Sequence, residues 1–195
     1  MLILLSLTLY GVLHSLMASH TAKNAFRRAF GERAFRWYRL LFSLLGGVLF
    51  LPILALLAVL PNRTLYSIPS PWLAVFWMVQ LGGLALGAWS LAVTDVWTFI
   101  GAKQPFAPPD APLEKLVISG PYRWVRHPMY TASLLFLWFV PQMTANWLAL
   151  SLGTTLYFII GGYFEERKLL AQFGEDYARY RAQTPMLIPF LMRNA

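Results

Sequence analysis

The feature that most limits what this chain can become is a succession of apolar runs, at about 2–18, 40–60, 72–93, 129–142 and 146–164. A helix needs roughly 20 apolar residues to cross a hydrocarbon core, and most of these runs reach or approach that length. Of the 195 residues, 58% are hydrophobic and 12% charged, about half the charged share of an ordinary soluble domain. The expectation is an all-α polytopic membrane protein. It is a single domain over 1–195, with about five transmembrane helices and a cytoplasmic C-terminal amphipathic helix. The chain has no cysteine, which excludes disulfides, thiolate nucleophiles and cysteine metal sites.

Charge sets the direction of the crossings. Six Lys/Arg lie in 19–39 (Lys23, Arg27, Arg28, Arg33, Arg36, Arg39) and four in 94–128 (Lys103, Lys115, Arg123, Arg126). Five more lie in the tail (Arg167, Lys168, Arg179, Arg181, Arg193), which leaves only Arg63 for the other side. Basic loops stay in the cytoplasm. Five crossings with the N-terminus outside and the C-terminus inside follow, and all eight acidic residues share the cytoplasmic side. This distribution assigns the +8 net charge to topology and anionic lipid rather than to nucleic acid. Residues 1–18 carry no positive charge ahead of their apolar core, unlike a signal peptide, so they are expected to remain as a helix. The bilayer is the expected partner, and an integral-membrane location with the basic loops on the cytoplasmic side is expected.

The fourth run is short. Residues 129–140 are twelve residues, about 18 Å of helix at 1.5 Å per residue, against a core of about 30 Å. The preceding Gly120-Pro121-Tyr122-Arg123-Trp124-Val125-Arg126-His127-Pro128 is therefore expected to enter the leaflet. Irregular polar backbone survives there only when buried in protein or lining a wet cavity. Pro128 suits a first helical turn, and a helix start beside Arg126 and His127 suits a carboxylate or phosphate. The alternative is that Arg123 and Arg126 hold lipid headgroups. The last two runs are joined by a short turn at 141–144 and must lie antiparallel, which returns Glu165-Glu166 to the level of Arg126 and His127. A carboxylate there suits ribose hydroxyls or a cationic ligand, or an ion pair with Arg126.

Elsewhere, His14 stands in the first apolar run, where ionisable groups are rare and usually functional; it can also simply bond across helices. Its spacing to His20 is poor for a shared metal, and no metal site is expected. Thr94, Asp95, Trp97, Thr98 and Gln104 are candidates to line the same cavity. Gly83 and Gly87 have the spacing that lets helices pack closely. Residues 165–183 read as one amphipathic helix, either lying on the membrane or closing over the cavity. The extended apolar 185–189 follows. No phosphate loop, dinucleotide fingerprint or nucleophile elbow is present, so a cofactor site would have to be built from membrane helices.

Arg126-His127-Pro128-Met129-Tyr130, followed by Glu165-Glu166-Arg167-Lys168-Leu169, Phe173-Gly174, Tyr177, Tyr180 and Pro185, resembles the integral-membrane methyltransferases. That group is typified by isoprenylcysteine carboxyl and phospholipid methyltransferases. Leu13-His14-Ser15-Leu16-Met17-Ala18, Lys23, Arg39 and the 97–105 stretch resemble the methanethiol S-methyltransferases and NnrU-like proteins. The resemblance implies S-adenosylmethionine bound by 115–190, with Tyr122, Arg126, His127, Pro128, Tyr130, Glu165 and Glu166 as contacts, and an acceptor side within 1–93. The isoprenylcysteine group carries glycine where this chain has Ala132.

Three functions fit. One is methylation of a small or lipophilic thiol such as methanethiol, with Arg126, His127 and His14 as candidates to favour the thiolate. Another is methylation of a carboxylate, amine or lipid. The last is a non-catalytic membrane protein of the same fold.

Overall fold

The computed structural model of the chain describes residues 1–108 and 115–189. Asp110, Glu114 and Arg193, which enter the charge count, and the last residue of the 115–190 stretch lie outside the described residues. The helices are α1 (Leu2–Ala18), α2 (His20–Phe35), α3 (Tyr38–Val59), α4 (Ser70–Val93), α5 (Val96–Ile100), α6 (Pro128–Trp138), α7 (Ala145–Phe173) and α8 (Glu175–Gln183). Strands β1 (Thr64–Ser67) and β2 (Gln142–Thr144) pair antiparallel, Thr64 opposite Thr144 and Ser67 opposite Gln142. Helices α3, α4 and α7 are each long and apolar enough to cross a membrane, and α1 with α2 pass that test only as a bent pair. The protein is a mostly helical membrane protein, consistent with the all-α expectation, with one small two-stranded sheet among the described residues.

Two compact units divide the chain: Met1–Pro61 with Asp95–Leu113, and Asn62–Thr94 with Glu114–Ala195. In the first unit, α1 and α2 meet at Ser19, whose hydroxyl accepts the Ala22 N–H at 3.2 Å as a helix cap. The two axes are bent by 58° there. The 19–39 connection is thus mostly helix rather than loop. It carries no apolar run, and the basic face of α2 is its main signal. Helix α3 packs back on α1, with the Tyr38 hydroxyl donating to the Met17 carbonyl at 2.6 Å. The 95–107 segment is held by basic side chains: Arg39 Nε donates to Phe99 O at 3.1 Å, and Arg36 donates to Ala107 O. Asp95, Thr98 and Gln104 bond within this segment. Thr98 Oγ1 donates to Asp95 Oδ2 at 3.1 Å, and Gln104 Nε2 to Thr98 O at 3.0 Å.

The second unit is built on α4, α6 and α7. Helix α6 is only 11 residues, about 16 Å long at 1.5 Å per residue. Its last carbonyls have no intrahelical partners, and in an apolar setting each would be costly. Side chains from both neighbours satisfy them. Gln80 Nε2 on α4 donates to Phe136 O at 2.9 Å, and Trp147 Nε1 on α7 donates to Leu137 O at 2.8 Å. Helices α4 and α6 run antiparallel and very close. A side chain at Gly83 would come within 2.9 Å of the Ala132 carbonyl, and Gly87 faces the Ala132 methyl at 3.5 Å. The Ala132 methyl is therefore matched by glycines on the opposing helix.

The amphipathic tail is not one helix. Helix α7 continues through Glu165 and Glu166 to Phe173 and stops at Gly174, whose φ of 55° lies in the left-handed region. Helix α8 then leaves in a new direction.

The neighbouring glycines of α4 test this packing. Gly83→Ala is expected to destabilise the protein by roughly 1–3 kcal/mol, since the added methyl meets backbone. Gly82→Ala meets nothing within 4 Å and is expected to be neutral or slightly stabilising. Thermal unfolding of both variants in one detergent measures the contrast.

Candidate functional site

The polar residues of the second unit gather where α6 begins and α7 nears its end. The approach to α6 is a tight turn at Gly120–Arg123, followed by an irregular stretch with Pro121 and Val125 buried. It is held from behind by the tail. The N–H of Arg126 donates to Pro185 O at 2.9 Å, that of His127 to Met186 O at 3.1 Å, and Thr131 Oγ1 to Leu187 O at 2.7 Å. The 185–187 segment thus forms a strap against the start of α6. Pro128 has no N–H, and the amides of Arg126 and His127 just before it face protein carbonyls.

Because α7 runs antiparallel to α6, its 158–166 face meets this start. Arg126 Nε donates to Glu166 Oε1 at 2.7 Å, with both side chains 11% exposed. The same guanidinium reaches Arg181 O at 3.1 Å and also Thr184 O. Arg126 therefore joins the start of α6, helix α7 and the end of α8. The ion pair weighed from the sequence is present, and Glu166 is its acidic member.

His127 is buried between both glutamates, with Nε2 3.3 Å from Glu166 Oε1 and Nδ1 3.6 Å from Glu165 Oε2. Glu165 is different from its neighbour: its side chain is 48% exposed and accepts the Tyr130 hydroxyl at 2.7 Å. The rings of His127, Tyr130 and Phe158 form a nearly parallel stack, with centroids 5.0 Å and 4.4 Å apart. Polar and aromatic groups thus share one edge, with a half-exposed carboxylate at its rim.

Helix α8 closes the rear. Tyr177 is buried, and the Tyr180 hydroxyl donates to Tyr122 O at 2.6 Å. Burial, reinforced by the Glu165 charge, pushes the Tyr122 phenol up to about 12. Burial also raises the phenols of Tyr177 and Tyr180. All three remain neutral hydrogen-bonding groups at physiological pH.

Tyr122, Arg126, His127, Pro128, Tyr130, Glu165 and Glu166 are therefore brought together within one unit. His14 belongs to the other unit. There its ring stacks with Tyr10 at 5.4 Å and lies 4.4 Å from Phe42, and its buried Nδ1 has no hydrogen-bond partner among the described residues. Sequence reasoning missed Thr131, Phe158, Gly162, Thr184 and Met186 as neighbours of the cluster. Gly162 and Phe158 are one and two turns before Glu166 on a helical face, a periodicity that could have found them. The strap residues carry no such signal.

A family model described as phospholipid methyltransferase matches residues 77–176, which contain most of α4 and the whole of α6 and α7 with both glutamates. A methanethiol S-methyltransferase of Pseudomonas deceptionensis is 44% identical over 73 residues, covering 37% of this chain and 28% of that protein. One from Mycobacterium tuberculosis is 42% identical over 73 residues, covering 37% and 30%. A third, from a Pseudomonas species, is 31% identical over 194 residues, covering 94% of this chain and 70% of that protein. The matched stretch thus spans under a third of the first two relatives, and most of the third. No solved structure matches. With the family model covering half the chain and the third relative nearly all of it, the chain belongs to the phospholipid methyltransferase family.

Proposed function

We propose that this protein is an S-adenosylmethionine-dependent methyltransferase acting on a small or lipophilic thiol, with methanethiol the first candidate and dimethyl sulfide its product. The observation that carries the reading is the half-exposed Glu165, held by Tyr130 beside a stack of three rings. The names of the relatives support it.

The donor set fits that cofactor. A carboxylate at the rim accepts from ribose hydroxyls or faces an ammonium, and the ring faces suit a sulfonium cation. Glu165, Tyr130, His127 and Tyr122 are the ligand-facing group. Pro128 fixes the start of α6, while Arg126 and Glu166 form the frame that holds the others. When bound, S-adenosylmethionine supplies an electrophilic methyl group. The chain's own work is then orientation and exclusion of water, which contribute most in a dry, shaped site.

A thiol reacts as its thiolate. The His127 ring is the candidate in this unit to favour the thiolate, with both of its nitrogens facing carboxylates, Nδ1 that of Glu165 and Nε2 that of Glu166. His14, with its unpartnered Nδ1, is a second candidate from the first unit. The proposed topology is five crossings in a bacterial inner membrane, N-terminus outside and cofactor site cytoplasmic. The 15 basic residues off the 61–71 connection support it.

Purified protein with S-adenosylmethionine and methanethiol is expected to release dimethyl sulfide into the headspace. A parallel panel of isoprenylcysteine and phospholipid acceptors should give less product; greater turnover of either would replace the thiol reading. The two glutamates should separate. Glu165→Gln is expected to weaken cofactor binding about tenfold, the loss of one charge-assisted contact, without changing thermal stability. Glu166→Gln is expected to destabilise the fold by up to roughly 3–5 kcal/mol, because it strips Arg126 of its charge partner. Equal effects on binding with no stability change would refute this division. For His14→Ala, unchanged turnover across pH would assign proton removal to the second unit alone.

A further inference from the structure

Between the ring stack and the carboxylates, α7 presents Gly162. It lies one turn from Phe158 and one turn from Glu166, on the same helical face. With a ring on one side and a carboxylate on the other, the glycine leaves a notch the size of a methyl group. The strap fills it. A Cβ built on Gly162 would overlap the terminal methyl of Met186, while lying 3.7 Å from both His127 Nε2 and Tyr130 Cε2. The backbone of Met186 is fixed, since its carbonyl accepts the His127 N–H at 3.1 Å. Its side chain is an unbranched thioether with three rotatable bonds, free to shift while the strap stays in place.

The notch lies where two chemistries meet. On the Glu166 side stand the polar groups that suit a charged donor, and on the Phe158 side the helix becomes apolar, as a greasy acceptor requires. Resting on the methyl-transfer reading, we propose that Met186 sets the size of the acceptor: its side chain walls the point of transfer at the Gly162 notch and restricts the site to short alkyl thiols. The terminal atoms of Met186 occupy space that a longer alkyl chain would need.

The test compares wild type, Met186→Ala and the double variant Gly162→Ala/Met186→Ala on methanethiol, ethanethiol, propanethiol and butanethiol. Turnover is read by headspace analysis. Binding of the same thiols is read by thermal shift with S-adenosylhomocysteine present, so the comparison does not depend on catalysis. Met186→Ala is expected to raise the preference for butanethiol over methanethiol about tenfold or more, the scale on which an apolar pocket counts methylenes. In the double variant the alanine methyl sits where the Met186 methyl was, with only ordinary contacts at 3.7 Å. The wild-type preference should therefore return, a rescue that loss of strap packing alone would not produce. An unchanged preference in Met186→Ala, or no return in the double variant, overturns the proposal. Thiol binding that follows this pattern without methyl transfer would uphold the notch and overturn the methyltransferase reading. A wild type that neither binds nor methylates thiols removes both.

Discussion

The second unit depends on the buried contact between Arg126 and Glu166. Each side chain is almost wholly removed from water, and a charge so placed is tolerated only with a partner and further hydrogen bonds. The pair meets both conditions through different parts of one guanidinium. Nε holds Glu166, while Nη1 takes the carbonyls of Arg181 and Thr184. Those carbonyls belong to the end of α8 and the residue after it, so a single side chain ties together the start of α6, the later part of α7 and the end of α8. The strap carbonyls then hold 185–187 in register through the two amides before α6 and the Thr131 hydroxyl.

This arrangement answers the difficulty posed by a helix as short as α6. Both of its ends leave backbone groups that lipid cannot satisfy. At the far end, Gln80 and Trp147 donate to the last carbonyls, and Ser151 Oγ adds a longer contact of 3.3 Å to Leu137 O. At the near end, the strap carbonyls accept the amides that precede Pro128. The helix can be short because its neighbours complete it. Its shortness in turn draws His127 and Tyr130 inward to meet the glutamates. The close approach of α4 serves the same end, since Gly83 and Gly87 leave room for Ala132 and bring Gln80 within reach of α6.

Much of this was legible from the chain. Four apolar runs match α1, α3, α4 and α6 within a few residues, because long apolar segments in this composition have few other uses. A connection as short as 141–144 forces antiparallel neighbours, which brings Glu165-Glu166 beside Arg126 and His127. Three features were harder to see. Helix α2 has no continuous apolar run, its apolar residues being spaced between charges, and β1–β2 pairs segments some 78 residues apart in the Gln142–Thr64 contact, which no local pattern reveals. The end of α7 depends on Gly174, which sits inside a continuous amphipathic period. The strap was visible as an apolar stretch, yet its partners are backbone groups, and backbone groups are common to every sequence.

Adjacent glutamates invite the view that they are interchangeable, and helix geometry argues otherwise. Neighbouring positions are separated by about 100° around the axis, so one of the two must turn away from whatever the other faces. Glu166 shares its face with Gly162 and Phe158 and points at α6, where Arg126 neutralises it. Glu165 is rotated to the rim and reaches inward through the Tyr130 hydroxyl and the His127 ring. A buried carboxylate already satisfied by a guanidinium has little left to offer a ligand, whereas a half-exposed one keeps acceptor sites open. The sequence repeats a residue, and the helix sends the two copies in different directions, so that one carboxylate is paired inside the fold and the other is left at the rim, where the proposed cofactor would meet it.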